Sequence, residues 1–120
     1  MTQEQKDLLF NNLCARLPYG VKALFFDVDK NYTSIIEGID IYKFIKDDSG
    51  MESEISDVKP YLFPLSSMTE EQEEEYNTMY EENRYSWREN IIDWFHKNHL
   101  DYRGLIPKSL AIDATGLNIY

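Results

Sequence analysis

Val58-Lys59-Pro60-Tyr61-Leu62-Phe63-Pro64-Leu65 is the stretch that decides how the chain builds its sheet. Side chains alternate along a strand, so Tyr61, Phe63 and Leu65 share one face. Backbone amides alternate as well, so Pro60 and Pro64 withdraw donors from the same side. A central strand does not tolerate two missing donors on one side, whereas an edge strand with that side outward does. The run is therefore expected to be an edge strand whose prolines guard it against further pairing.

Upstream, Val21-Lys22-Ala23-Leu24-Phe25-Phe26-Asp27-Val28 is short and β-rich, with Phe25 on one face and Leu24, Phe26 and Val28 on the other. Apolar residues on both faces predict a central strand covered on both sides. After polar turn chemistry from Asp27 to Tyr32, a second strand is expected over Ser34 to Ile45. Ile39 and Ile41 take one face and Asp40 and Tyr42 the other, with a bulge at Gly38. Asp47-Asp48-Ser49-Gly50 reads as a turn, and residues 51–57 as an exposed loop or the weak start of a strand. A helix precedes all of this. Thr2 and Gln5 have capping-box spacing, Leu9, Leu13 and Leu17 recur every fourth residue beside Phe10 and Cys14, and Pro18-Tyr19-Gly20 stops the run. Cys14 is read as a small buried hydrophobe.

Downstream, Thr69 and Gln72 repeat the capping-box spacing, and Glu70, Glu71, Glu73, Glu74 and Glu75 load the first turns with charge that suits the positive end of a helix dipole. Tyr76, Tyr80, Trp87, Ile91, Trp94 and Phe95 form a stripe at helical spacing, followed by Arg84, Arg88 and Lys97. A helix from there to Asn98 would be roughly 44 Å long, more than the width of a small domain. Its acidic start is expected to project, or a kink to divide it near Asn83. Tyr85 and Ile92 lie on its flank and ask for a second cover, from the first helix or from a second chain. Leu100 to Tyr120 reads as mostly irregular, with Leu110-Ala111-Ile112 as a short strand or docked turn.

The chain has 120 residues, 12 basic and 22 acidic, for a formal charge of −10. That length fits one domain with a real core. Aromatics at 14% and apolar residues at 42% exclude a disordered tail. The acidic balance argues against direct nucleic-acid binding, which needs clustered Lys and Arg. One cysteine, Cys14, precludes an internal disulfide and suits a cytoplasmic setting. The sequence holds no membrane-spanning run and no basic-then-apolar leader.

Chemistry-bearing groups are sparse. His96, His99 and Asp101, with Asp93 one turn earlier, are the nearest thing to a reactive cluster, and a small metal-dependent enzyme built on His99 and Asp101 is one functional alternative. A metal-binding histidine pair on a helix more usually sits four apart, however, and here the spacing is three. The helical count turns His96 away from the tryptophan stripe, towards solvent. Asp27 with Glu37 or Asp40, and Asp47 with Asp48, are carboxylate pairs read as solvated. No phosphate loop, nucleophile elbow or zinc-protease motif is present. No cofactor, metal or catalytic residue is assigned.

Lys59-Pro60-Tyr61-Leu62-Phe63-Pro64-Leu65-Ser66-Ser67-Met68-Thr69-Glu70-Glu71 and the block from Trp94 to Ile106 are similar to recurrent blocks in small proteins of gut Bacteroidetes and their phages. The resemblance implies a mobile-element or prophage setting and carries no activity. His99, Asp101, Tyr102, Arg103 and Gly104 match its helix-end pattern, and His96 departs from it. Asp101 is expected to lock that turn with Arg103 while Gly104 supplies the reversal.

These readings converge on a single α+β domain over residues 1–120, with 101–120 a mostly irregular tail. A small, mainly antiparallel sheet is packed by an N-terminal helix and a long C-terminal helix. The leading functional expectation is a non-catalytic interaction or accessory protein of bacterial or phage origin that engages a protein partner or a second copy. The expected binding residues are Glu70, Glu71, Glu73, Glu74, Glu75, Tyr85, Ile92, His99 and Asp101. The other alternative is an acidic mimic of nucleic acid that inhibits a DNA- or RNA-handling enzyme.

Overall fold

In the computed structural model, which describes residues 1–82 and 87–120 (87–89 as backbone only), helix α1 (Gln3–Arg16) begins at a closed capping box. Thr2 Oγ1 accepts from the Gln5 amide at 3.1 Å, and Gln5 Oε1 accepts from the Thr2 amide at 3.0 Å. Two of the orphan donors of the first turn are thereby satisfied. Thr2→Ala is expected to cost about 1 kcal/mol, read as a lower thermal midpoint by circular dichroism. Leu9, Asn12, Leu13 and Arg16 form the buried face of α1. Cys14, read from sequence as buried, is exposed, because it lies a quarter-turn off that face. A 3₁₀ turn at Leu17–Tyr19 and a left-handed Gly20 (φ 69°) end the helix.

Strand β1 (Lys22–Phe25) pairs antiparallel with β2 (Tyr32–Ile35) on one edge and with β6 (Val58–Pro64) on the other. Between β2 and β6 the chain makes a separate antiparallel sheet of β3 (Gly38–Ile39), β4 (Ile45–Lys46) and β5 (Glu52–Ser53). The strand expected over Ser34–Ile45 is therefore divided. At Gly38 the chain changes sheets. Asp40 then reverses it, its carboxylate accepting from the amides of Tyr42 and Phe44 while Lys43 takes a left-handed φ of 66°.

The proline strand is not at an edge. β6 is antiparallel to β1 and parallel to both β7 (Leu100–Asp101) and β8 (Ile112–Asp113). The hydrogen bonds show how the prolines are accommodated. Asp57 accepts from the Phe26 amide and Phe63 donates to His99, so odd positions serve β1 and then β7. Leu62 points to the opposite edge, where it accepts from Ala114 at 2.8 Å. Pro60 and Pro64 flank Leu62 on that second edge, and β8 spans only two residues there. The missing donors shorten the neighbour rather than exclude it.

The face of this sheet that carries Val21, Ala23, Phe25, Val58 and Leu62 is covered by Leu9 and Leu13 of α1. Leu105, Leu110 and Ala111 join the same cluster, so residues beyond 101 contribute to the core despite their irregular path. β1 is central in its pairing but has only one fully buried face: Phe25 is inaccessible, Phe26 is exposed, and Val28 lies beyond the strand, 99% exposed.

Helices α2 (Glu70–Glu82) and α3 (Trp87–Lys97) replace the single long helix. Trp94 Nε1 donates to Glu75 at 3.0 Å, and the Tyr76 ring meets Trp94 and Phe95. Such contacts across 19 residues are impossible along one straight coil. The two helices run antiparallel and share a second hydrophobic cluster of Ile91, Trp94 and Leu100 with Met68, Tyr76 and Met79. The division expected near Asn83 lies outside the described residues. Among the described residues, no helix is long and apolar enough to cross a membrane.

Candidate functional site

Residues 71, 74, 75, 78 and 79 follow the spacing that places side chains on one face of a helix. In α2 these are Glu71, Glu74, Glu75, Thr78 and Met79, and they line an open groove of about 730 Å³ against Trp94 and Lys97 of α3. Trp94 is itself largely buried, its indole fixed by Glu75 on one side and by the Tyr76 and Phe95 rings on others. The α2 capping box closes as in α1, with Thr69 Oγ1 accepting from the Gln72 amide and Gln72 Oε1 from the Thr69 amide. This fixes the helix start and hence the phase of the glutamates. Among the described residues the one ion pair joins Lys46 to Glu52, so the carboxylates of 70–75 meet none of the described cations within ion-pair distance. The result is an apolar, aromatic floor with an acidic wall and one lysine at its end.

Not every expected site residue reaches this groove. Glu70 and Glu73 are exposed elsewhere on α2. Ile92 is 42% exposed on α3, and Tyr85 lies outside the described residues. His99 and Asp101 belong to a different place, the junction of α1, α3 and β7.

At that junction Arg16, from the last turn of α1, is fully buried. Its Nε donates to Asn12 Oδ1, its Nη2 donates to the Leu100 carbonyl at 2.6 Å, and its guanidinium lies 5.7 Å from the Tyr102 ring centre. Burial lowers its pKa to about 10, against the pull of Tyr102, Asp101 and Tyr120, so it stays charged at neutral pH. Tyr102 stacks on Phe95 at 5.1 Å, and its hydroxyl meets His96 Nε2 at 2.8 Å. His96 is thus only 3% exposed, not turned to solvent as its helical phase suggested. α3 is covered on two flanks, by α2 and by the end of α1, and a single-stripe reading misses the second. Burial and the Arg16 charge hold His96 below the ordinary histidine range, outweighing Asp93.

Asp101 does lock the turn, but not through Arg103, which is exposed. Its two oxygens accept from the amides of Leu105 and Ile106, each at 2.8 Å, while Gly104 (φ 72°) makes the reversal. Both oxygens are thus engaged by the backbone, and among the described residues no group of three metal-ligating side chains converges. His99 sits just past α3 at φ 56°, its ring stacked 3.6 Å from that of Tyr120. Burial, then Arg16 and Lys22, lower its pKa to about 4.

Of the carboxylates read as solvated, Asp47 is instead buried, because the turn it caps folds its amides and the Tyr32 hydroxyl onto it. Asp47 accepts from Tyr32, Ser49 and Met51; these hydrogen bonds overcome its burial and keep it below the usual carboxylate range, while the same contact pushes Tyr32 up to about 12. Sequence reasoning named the groove glutamates but not the floor they share with Met79 and Lys97, nor the burial of Arg16. The 71-74-75-78-79 spacing carried the first signal; nothing local marked the second. No family model, no curated protein and no solved structure matches the chain.

Proposed function

We propose that this chain is a non-catalytic interaction protein of bacterial or phage origin, working in the cytoplasm. Its α2–α3 groove receives a basic segment of a protein partner. The observation that carries the reading is the groove's composition. Among the described residues, Glu71, Glu74 and Glu75 meet no cation within ion-pair distance beside the Trp94 and Met79 floor. Carboxylates attract a lysine or arginine and set its approach, and the indole and thioether accept its aliphatic stem. An aromatic floor of this kind is also where binding energy tends to concentrate.

A second reading, an acidic mimic of nucleic acid, draws on the exposed glutamates of 70–75 alone. The two differ in what they need. A mimic depends on charge and collapses with salt; a groove depends on its floor as well. The test is titration of a short peptide alternating lysine and leucine into the full chain, followed by calorimetry. Changing Glu71, Glu74 and Glu75 together to Gln is expected to weaken binding at least tenfold, and Trp94→Phe with Met79→Ala to weaken it comparably at fixed salt. Binding that loses nothing with the floor changed favours the mimic. No binding, or concentration-dependent light scattering showing self-association through this face, removes the peptide reading.

A further inference from the structure

We propose that Tyr120 is a removable cover over a small-oxyanion site formed by Arg16 and His99. Three donor-bearing side chains act on Tyr120, in a chain whose net charge is −10: His99 stacks on its ring, Lys22 Nζ lies 5.9 Å from the ring centre, and the Arg16 charge reaches it. Arg16 comes from α1, Lys22 from β1 and His99 from the end of α3. Among the described residues, none is ion-paired with a carboxylate. Asp101, the nearby acidic group, has both oxygens taken by backbone amides.

Two polar atoms at this junction are buried without a partner: Arg16 Nη1 and His99 Nδ1. Arg16 is wholly inaccessible, and its other nitrogens are committed to Asn12 and Leu100. A buried, unsatisfied donor on a charged group is among the costlier features a fold can hold. One oxyanion would relieve both atoms, accepting from Nη1 and from an Nδ1 that carries a proton. The guanidinium has a single free nitrogen, and the Tyr102 ring lies 5.7 Å from its centre. The ligand is therefore one carboxylate or phosphate group, not a nucleotide.

Tyr120 closes the place by contacts that can be undone. Its ring lies on His99. Its hydroxyl accepts from the Lys22 amide at 2.8 Å and donates towards the carbonyls of Tyr61 at 2.8 Å and Lys22 at 3.3 Å. Lys22 Nζ donates to the Ile119 carbonyl at 2.8 Å. The ring also tilts against Phe63 at 5.9 Å, while residues 115–118 leading up to it are exposed.

The test follows the backbone amides of Lys22 and Leu100, and the His99 imidazole where that residue is kept, by NMR as the chain is titrated separately with sodium phosphate and sodium acetate at constant ionic strength. Tyr120→Ala is expected to bind at least one of the two anions tenfold or more tightly than the unaltered chain, with a saturable His99 shift. Which anion binds distinguishes a phosphate source from a carboxylate source. Adding His99→Asn to Tyr120→Ala is expected to abolish the gain. A folded Tyr120→Ala with no saturable response to either anion overturns the proposal, as does binding that survives His99→Asn. Should Tyr120→Ala fail to fold, Tyr120→Phe, which loses the hydroxyl bonds that hold the ring down, is expected to bind more tightly than the unaltered chain by a smaller factor, and no gain overturns the proposal.

Discussion

Replacing Asp101 with alanine is expected to lower stability by about 4 kcal/mol, since a stranded buried amide costs roughly 1–3 kcal/mol and Asp101 serves two. The carboxylate is 6% exposed and holds the Leu105 and Ile106 amides at 2.8 Å each. That turn sends Leu105, Leu110 and Ala111 back into the core, so its loss loosens packing as well as hydrogen bonding. For a domain of this size the thermal midpoint should fall by roughly 15 °C. Asp101→Asn, which keeps one acceptor and sets an amide group against the second donor, is expected to fall between the two. Differential scanning calorimetry decides it. A loss below about 1 kcal/mol would show that the turn is held by other means. A metal-ligand role predicts instead a midpoint that drops on chelation in the unaltered chain.

Acid should destabilise the fold before its carboxylates titrate. His99 is held at about 4, well under the ordinary histidine value of 6.5, by burial and by the Arg16 and Lys22 charges. Tyr120 covers the ring, and Asp101 lies two residues further along the chain. The unfolded chain takes up a proton near pH 6.5 that the folded chain refuses until about pH 4. Stability from this group is therefore complete above 6.5, is lost as pH falls through the interval, and changes no further below 4. Discounted for partial solvent access, the loss is about 2 kcal/mol. His96, depressed by burial and by Arg16 in the face of Asp93, adds in the same direction. The measurement is urea unfolding between pH 7.5 and 4.5 for the unaltered chain and for His99→Asn, a residue that tolerates the left-handed backbone. The variant should show a shallower fall, and identical slopes would refute the assignment.

Much of the local structure was legible because it is encoded within a few residues. Thr2 with Gln5 and Thr69 with Gln72 close capping boxes as their spacing requires, and Gly20, Gly50 and Gly104 take the positive φ that their turns need. What failed was whatever depends on distant partners. Pro60 and Pro64 correctly identified an edge of β6 poor in donors, yet they could not show that β8, two residues long, fits between them. The periodicity of 69–98 fits one helix as well as two, because Tyr76 and Trp94 share a stripe either way; contacts between distant turns, such as their ring contact and the Trp94–Glu75 hydrogen bond, separate the cases. His96 was misplaced because its cover comes from Tyr102 and from the end of α1. The groove glutamates were readable by composition, whereas the Arg16–His99 junction joins three elements that no short window contains.

Helix α2 has no buried residue, and the cluster it shares with α3 meets the sheet chiefly through Phe63 and Leu100. The two hydrophobic clusters are thus expected to open with unequal ease, that of α2 and α3 first. Amide protons of α2 can exchange through a sub-global opening that leaves β1 and β6 protected. Whatever seats itself on that hairpin therefore gains an additional lever, since clamping the weaker unit slows its opening without touching the stronger one.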